Sequence, residues 1–171
     1  MTATRVVTER LILRDLVLAD APFILRLLND PDFLAYIGDR GVRTLADAER
    51  YLREGPIASY ERNGHGLWGV ALRETGELIG LSGLLRRAEY ADIDIGYAFL
   101  PAYRGGGYAF ESASAVLRIA DDTLGLRKVI ALVSPENAAS IGLLQKLGFT
   151  RSGMEAVTQG TVLFERSFGG D

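Results

Sequence analysis

The stretch ADIDIGYAFLPAYRGGGYA (Ala91–Ala109) joins a strand pattern to a proline and three adjacent glycines. Alternate side chains of a strand share one face, so this pattern gives an apolar face and a face that is acidic and then small. The apolar face holds Ala91, Ile93, Ile95, Tyr97 and Phe99, and the other holds Asp92, Asp94, Gly96 and Ala98. We expect the first face to pack in the core and the second to line a groove, unless a bulge near Gly96 changes the alternation.

The glycines stand directly before a predicted helix, in the run Arg104-Gly105-Gly106-Gly107-Tyr108-Ala109. Consecutive glycines let the backbone turn tightly and expose main-chain N–H groups beside the positive end of the helix dipole. Such a turn can receive phosphate oxygens, and Arg104 would add a cation beside them. The spacing differs from that of a Walker A loop and from that of a dinucleotide-binding turn. A plain tight turn without a ligand is the alternative interpretation.

A second informative segment, SPENAASIGLLQKLGF (Ser134–Phe149), lies further along the chain. The apolar run Val129–Val133 before it is typical of a central strand that is covered on both faces. A short helix is predicted at Ala138–Leu147. Asn137 would therefore either cap this helix or offer its side chain to a ligand.

The other segments complete the predicted fold. They indicate a strand at Arg5–Leu16, a helix capped by Asp20, a helix opened by a capping box of Thr44 and Asp47 and interrupted at Gly55-Pro56, hairpin strands at Leu67–Arg73 and Glu77–Arg87, a helix at Tyr108–Leu124, and closing strands at Phe149–Val157 and Thr161–Phe168. This order predicts an α+β (mixed α/β) fold, a mixed sheet with helices on both faces. A length of 171 residues fits a single domain, residues 1–171.

Composition argues against several functional classes. The absence of cysteine removes disulfides, thiolate metal sites and a cysteine nucleophile, and a single histidine, His65, allows no histidine cluster. His65 lies in a predicted turn, so we expect it on the surface. A net charge of -3 is unlike that of a nucleic-acid binder. We find no apolar leader or membrane-length apolar run, and we expect a cytoplasmic protein with no membrane partner and no metal.

Together the two segments resemble the GNAT superfamily of acetyl-CoA-dependent N-acetyltransferases. The matching residues are Arg104-x-x-Gly107-x-Ala109 at a helix start, then Asn137-x-x-Ser140 and Lys146-Leu147-Gly148-Phe149. Thr8-Glu9-Arg10-Leu11-Ile12-Leu13-Arg14, Asp30-Pro31 and Ile95-Gly96-Tyr97 are similar to the RimJ/RimL-like branch, the ribosomal-protein N-terminal acetyltransferases. The resemblance implies a twisted, mostly antiparallel sheet in which the strands at Ala91–Leu100 and Lys128–Ser134 splay apart at the centre.

The resemblance also implies where acetyl-CoA, the cosubstrate, would bind. Its pantetheine arm would lie in the gap between the two strands, paired with the main chain of Phe99 and Leu100. Its pyrophosphate would be held by the N–H groups of Gly105, Gly106, Gly107, Tyr108 and Ala109. Asn137 would bond to the pantetheine arm, and Ser140 would lie near the sulfur.

The implied reaction is direct attack of a neutral amine on the thioester. The acceptor would be a protein N-terminus or a small amine such as an amino acid, a polyamine or a drug. Asp94 is the expected base, directly or through a water, because this branch commonly carries Glu at that place. Asp92 is the alternative base. The non-catalytic interpretation of Asp94 is a solvated charge at the edge of the sheet. Many superfamily members place a tyrosine acid where this chain has Leu144, so Ser140 is expected to bond to the leaving sulfur.

Two other functional hypotheses stay open at this stage. A non-catalytic sensor that binds CoA or an acyl-CoA would explain the missing tyrosine and the short acid at position 94. A plain phosphate or nucleotide site would explain the glycines alone. The sequence does not distinguish a monomer from a homodimer.

Overall fold

The computed structural model describes residues 3–169, and within them eight strands form one sheet. The strands are β1 (Arg5–Val7), β2 (Leu11–Arg14), β3 (Leu67–Leu72), β4 (Leu78–Leu85), β5 (Ile93–Phe99), β6 (Lys128–Val133), β7 (Thr150–Arg151) and β8 (Val162–Ser167). Their order across the sheet is β1-β2-β3-β4-β5-β6-β8-β7. Neighbouring strands are antiparallel except β5 and β6, which are parallel.

Helices cover both faces of this sheet. They are α1 (Ala21–Leu28), α2 (Pro31–Tyr36), α3 (Leu45–Leu52), α4 (Ala58–Asn63), α5 (Tyr108–Arg118) and α6 (Ala138–Lys146). One apolar cluster joins the sheet to α5 and α6, with Val116 and Leu144 buried in it. A second cluster joins the other face to α1 and α3, through residues such as Leu27 and Leu52. This architecture confirms the predicted mixed sheet with helices on both faces.

The two parallel strands pair at only two positions, Ile93 with Val129 and Asp94 with Ile130. The N–H of Leu100 donates to Ile79 on β4. Because hydrogen-bonding direction alternates along a strand, the N–H and C=O groups of Tyr97 and Phe99 point the other way, toward β6. The strands therefore diverge after Asp94, which confirms the predicted splay.

Several predicted boundaries were wrong. The stretch predicted as one strand at Arg5–Leu16 is a hairpin of β1 and β2, because the N–H of Thr8 donates to the C=O of Leu11 and closes a turn. The strand predicted at Phe149–Val157 shortens to β7. Ser152 still donates to Leu163, and the chain then leaves the sheet.

Two predicted helix features also differ. Gly55-Pro56 does not break the helix: a π-helical turn (Arg53–Ile57) leads from α3 into α4, and its wider hydrogen-bond spacing accommodates the proline. A second π-helical turn (Ile119–Thr123) follows α5. The Asp20 carboxylate does not cap α1, since it accepts from the N–H of Val17 and pairs with Arg14.

The capping box at Thr44 and Asp47 is confirmed. The expected surface position of His65 is wrong, because the ring is 4% exposed and its Nδ1 lies 3.2 Å from the Leu84 carbonyl oxygen. The ring faces strand β4, although His65 lies in the short link between α4 and β3. Among residues 3–169, no helix is long and apolar enough to cross a membrane.

Gly83 on β4 supplies a test of this packing. A Cβ built there would overlap the carbonyl oxygen of Gly66, the residue just before β3. We expect Gly83→Ala to lower the free energy of unfolding by about 1–3 kcal/mol, the usual range for overpacking. Gly142→Ala, in α6, is the matched control because a Cβ there meets no atom within 4 Å. We expect the control to stabilise slightly in urea unfolding. Equal stability of the two variants would contradict the close approach.

Candidate active site

Asp94 lies at the last paired position of β5, where the gap between β5 and β6 begins. The residue is 2% exposed, so the interpretation of Asp94 as a solvated charge was wrong. Its Oδ2 accepts a hydrogen bond from Arg87 Nε at 2.7 Å, whereas its Oδ1 is buried without a partner in the described chain. Burial raises the pKa of Asp94 to about 6, although Arg87 and the nearby N–H of Leu132 act in the opposite direction. A buried carboxylate with one free oxygen can accept a proton near neutral pH.

Arg87 contacts the candidate base, and the sequence reasoning missed it. It was placed at the end of a predicted strand and given no role. Leu85 pairs with Asp94 across the β4–β5 hairpin, so Arg87 lies two residues beyond that pair on the same face. Opposite charges at diagonal positions of a hairpin were the signal that could have found this contact.

The glycine run forms the entrance to α5. Gly105 and Gly107 have φ values of +80° and +85°, a left-handed conformation that favours glycine. Gly107 is the N-cap and supplies no side-chain acceptor. The first helical bond runs from Glu111 N–H to Gly107 C=O. The three preceding N–H groups, at residues 108, 109 and 110, have no acceptor among the described residues, so they are available to an anion.

Arg10 fixes this loop from the outside, and the sequence reasoning gave it no role. Its guanidinium pairs with Glu111 at 2.6 Å, donates to the Gly106 carbonyl at 2.9 Å and lies 4.3 Å from the centre of the Tyr108 ring. Thr8 also donates to Glu111, at 2.6 Å. The β1–β2 turn therefore holds the first turn of α5 and directs the Gly106 carbonyl toward Arg10. The signal in the sequence that could have indicated this contact was Thr8-Glu9-Arg10, part of the segment that resembles the family.

Arg104 is not the free cation that was expected beside the glycines, because its side chain is already paired. It pairs with Asp30 and Asp32, both at 2.6 Å, and its Nε donates to the Phe99 carbonyl at 3.0 Å. The interaction ties the end of β5 to the start of α2. Asp30-Pro31 had been noticed in the sequence, but the pairing across more than 70 residues could not be read from it.

The main-chain groups open toward β6 differ from those expected. Leu100 is engaged on both sides: its N–H donates to Ile79 and its C=O accepts from Tyr103. The carbonyl of Phe99 is taken by Arg104. The groups that face the gap without a strand partner include the N–H of Phe99 and both main-chain groups of Tyr97. The open edge is thus shifted by about two residues toward the start of β5.

Across the gap, Asn137 and Ser140 stand in the first turn of α6. Asn137 Oδ1 accepts from the Ser140 N–H at 3.2 Å, so Asn137 does cap the helix. Its Nδ2 has no partner within residues 3–169 and could donate to a ligand. The Ser140 hydroxyl lies 2.7 Å from the Tyr97 hydroxyl.

Tyr97 also lies in the candidate site, although its position on the apolar face had indicated core packing. The side chain is half-buried and reaches from β5 to α6. Burial raises the pKa of Tyr97 to about 12, so the hydroxyl keeps its proton at neutral pH. Leu144, at the position where many superfamily members have a tyrosine acid, is buried in the core.

The alternative base, Asp92, is neither buried nor free of a partner as Asp94 is. Its carboxylate pairs with Lys128 at 3.4 Å, and its side chain is 38% exposed. Among residues 3–169, no group of three or more His, Asp or Glu side chains could hold a metal ion.

Comparisons with known proteins agree with this geometry. Residues 10–150 match the model of the acetyltransferase (GNAT) domain. The uncharacterized N-acetyltransferase YoaA of Bacillus subtilis is 32% identical over 148 residues, which are 86% of this chain and 83% of YoaA. The crystal structure of an acetyltransferase from Agrobacterium tumefaciens superposes with a TM-score of 0.84 at 27% identity, covering 97% of this chain and 95% of that one.

A ribosomal-protein-S5-alanine acetyltransferase from Vibrio fischeri has the same fold, with a TM-score of 0.80 and coverage of 96% of each chain, at 17% identity. A family-model match over residues 10–150 spans most of the chain. Such a match, with a relative above 30% identity, shows the family as well as the fold. The chain belongs to the GNAT family of acetyltransferases and is an N-acetyltransferase.

Proposed function

We propose that the protein transfers the acetyl group of acetyl-CoA directly to a primary amine within a ternary complex. The observation that carries the proposal is the buried Oδ1 of Asp94, which has no partner and lies where β5 and β6 part. A carboxylate in that place can take a proton from an amine held at the gap. The RimJ/RimL-like branch, with a protein N-terminus as acceptor, is one form of this proposal and a small amine is the other.

The gap and the glycine loop offer donors along one line. Free N–H groups at the start of α5 would bind the pyrophosphate, reinforced by the helix dipole, while Arg10 holds the loop in place. The main chain of Tyr97 and the N–H of Phe99 would pair with the pantetheine amides as an added strand does. The free Nδ2 of Asn137 faces the same arm. Acetyl-CoA supplies an activated acyl group whose leaving thiol has a pKa of roughly 8.5.

Asp94 would act as the base. With a pKa of about 6, the carboxylate is mostly ionised at pH 7, yet it is basic enough to accept a proton. The α-amino group of a peptide has a pKa near 7.7–8.0, so a modest base suffices for such an acceptor. Arg87 holds the carboxylate in place through one oxygen and leaves the other for the amine or a bridging water.

The leaving sulfur would be met from the opposite side. Asp94 and Tyr97 are three positions apart on one strand, so their side chains lie on opposite faces of β5. The Tyr97 hydroxyl can donate to Ser140, whose hydroxyl then donates to the developing thiolate. An amine approaching from the Asp94 face and a thiolate departing toward the Ser140 face is the arrangement that direct transfer requires.

Replacing Asp94 tests the base. We expect Asp94→Asn to lower kcat/KM by about 100-fold or more, because general-base catalysis contributes about that much, while the Kd for CoA stays unchanged. Below about pH 6 the wild-type slope of log kcat/KM against pH should steepen by about one, since Asp94 and the amine then both lose activity by protonation. The variant should lack that steepening. Release of CoA thiol measures the rate.

Asp92→Asn is the matched control. It also removes one carboxylate charge, two residues before Asp94, and breaks only the partly exposed ion pair with Lys128. We expect it to retain nearly full activity, because such pairs contribute little. Unchanged turnover in Asp94→Asn would remove Asp94 from the mechanism. CoA binding with no acetylation across a wide panel of amines would favour the sensor hypothesis, and equal competition by ATP would favour a plain phosphate site.

Gly106 allows a test of the pyrophosphate loop that spares the fold. Unlike its two neighbours it does not have a positive φ, and a Cβ there meets only the flexible ring of Tyr108 at 3.4 Å. We expect Gly106→Glu to weaken CoA binding about tenfold or more, because one charge-assisted hydrogen bond is worth roughly 1.5–3 kcal/mol. Gly106→Gln adds the same bulk without the charge and should weaken binding less. Calorimetry measures both, and wild-type affinity in the Glu variant would disprove the phosphate role.

A double-mutant cycle tests the hydroxyl pair. We expect Tyr97→Phe and Ser140→Ala each to lower kcat about tenfold, with the double variant no slower than the worse single variant, because both hydroxyls act on one proton. Single-turnover measurements isolate the chemical step. Independent, multiplying losses would contradict a relay. Tyr103→Phe, which loses only a long bond to Glu77 at 3.5 Å, is the control and should stay near the wild-type rate.

A further inference from the structure

Tyr90 joins two loops that are distant in the chain, residues 86–92 between β4 and β5 and residues 152–161 between β7 and β8. Its hydroxyl oxygen accepts from the N–H of Val157 at 2.9 Å and from that of Thr158 at 3.0 Å. The same oxygen lies 3.0 Å from the Thr158 hydroxyl. Because two of these three partners are main-chain groups, the contact fixes the backbone of the second loop.

This contact spans the gap at the centre of the sheet. The first loop belongs to the half formed by β1 to β5, and the second belongs to the half formed by β6, β8 and β7. Across the gap, β5 and β6 pair at only two positions. Within residues 3–169 the first loop makes one other polar contact with the far half, an ion pair of Asp92 and Lys128 at 3.4 Å. That pair is partly exposed and contributes little, so the Tyr90 contact is the main polar link.

The first loop also holds the hydrogen-bond partner of the candidate base. Pairing between β4 and β5 ends at Leu85 and Asp94, so no strand pairing fixes residues 86–92. Within the loop, the N–H of Tyr90 donates to the C=O of Arg87 at 3.2 Å and closes a turn. Arg87 Nε in turn donates to Asp94 at 2.7 Å. A series of hydrogen bonds therefore runs from the second loop through Tyr90 and Arg87 to Asp94.

The position of the Arg87 side chain matters for the proposed chemistry. The side chain is long and 31% exposed, so little packing restrains it. In the observed position it bonds to Oδ2 of Asp94, and Oδ1 has no partner. A displaced guanidinium can bond to both oxygens of a carboxylate, which is a common arrangement of arginine and acid. That arrangement would occupy the oxygen that an amine needs.

We propose that Tyr90 is a positioning residue for acetyl transfer, which holds Arg87, and through it Asp94, from across the gap. This inference rests on the proposed function, because it takes Asp94 as the base. Tyr90 itself touches no reacting atom, since its hydroxyl is engaged by Val157 and Thr158.

Tyr90→Phe tests this role because it keeps the ring and removes only the hydroxyl. The acceptor is the best amine from a panel of α-amino acids, spermidine and a short peptide, and release of CoA thiol measures the rate. We expect kcat to fall about tenfold, because a small displacement of a reacting group costs that much or more. KM for the amine and Kd for CoA should stay unchanged. Amide hydrogen exchange at Val157 and Thr158 should become faster, since both N–H groups lose their acceptor.

Two further variants serve as controls. Thr158→Val removes only the side-chain contact and keeps both main-chain bonds, so it should lose less activity than Tyr90→Phe. Tyr103→Phe loses only a long bond to Glu77 and should keep the wild-type rate.

A double-mutant cycle with Arg87→Gln separates positioning from a general loss of structure. We expect Tyr90→Phe to cause no further loss of kcat in the Arg87→Gln background, since Tyr90 acts through Arg87. Multiplying losses, a wild-type kcat in Tyr90→Phe, or unchanged exchange at Val157 and Thr158 would overturn the inference and leave acetyl transfer intact. Failure of the wild type to release CoA thiol with any amine of the panel would overturn the proposed function, and this inference with it.

Discussion

The central constraint of the fold is the parallel pairing of β5 and β6, which stops after two residues. Main-chain N–H and C=O groups inside a sheet are normally bonded on both sides, so an opening there is unfavourable unless something else holds the strands apart. Here β4 pairs with β5 from Leu85–Asp94 to Gly80–Phe99, and β8 pairs with β6 from end to end. Closing the gap would disturb one of those ladders. The opening is therefore a stable feature, ready for a ligand with its own amide groups.

Two arginine clusters then fix the ends of this opening. Arg104 joins the end of β5 to α2, and Arg10 joins the glycine loop and α5 to the β1–β2 turn. Exposed ion pairs contribute little stability on average, so the importance of these contacts is geometric. Each arginine also takes up a main-chain carbonyl, of Phe99 or Gly106. With those carbonyls turned aside, the loop presents N–H groups to the gap, which is the polarity that a phosphate requires.

Local patterns in the sequence predicted the features that depend on neighbours along the chain. Alternation gave β5, the Thr44–Asp47 spacing gave the capping box, and the family likeness added the splay. Contacts between distant segments could not be read in this way. Arg104 meets Asp30 from more than 70 residues away, and His65 is buried because β4 passes over its turn. The alternation of apolar residues along β5 assigned Tyr97 to the core. That alternation does not reveal that its hydroxyl meets Ser140 on α6.

The depth at which a carboxylate is buried, weighed against the donors around it, decides whether it is a base or a structural anchor, and this chain contains both cases. Burial disfavours the charge of Asp30, but Arg104 and the N–H groups of Phe33 and Asp32 bond to it and bring its pKa below the ordinary value. Asp94 is buried more deeply, at 2% exposed against 8% for Asp30, so burial outweighs the opposing effects of Arg87 and the Leu132 N–H, and its pKa is raised to about 6. A second donor on Asp94 Oδ1 would lower that pKa and occupy the oxygen that an amine needs. Deep burial, with Oδ1 left without a hydrogen-bond partner, is therefore what makes Asp94, among the buried acids of the described chain, suited to accept a proton.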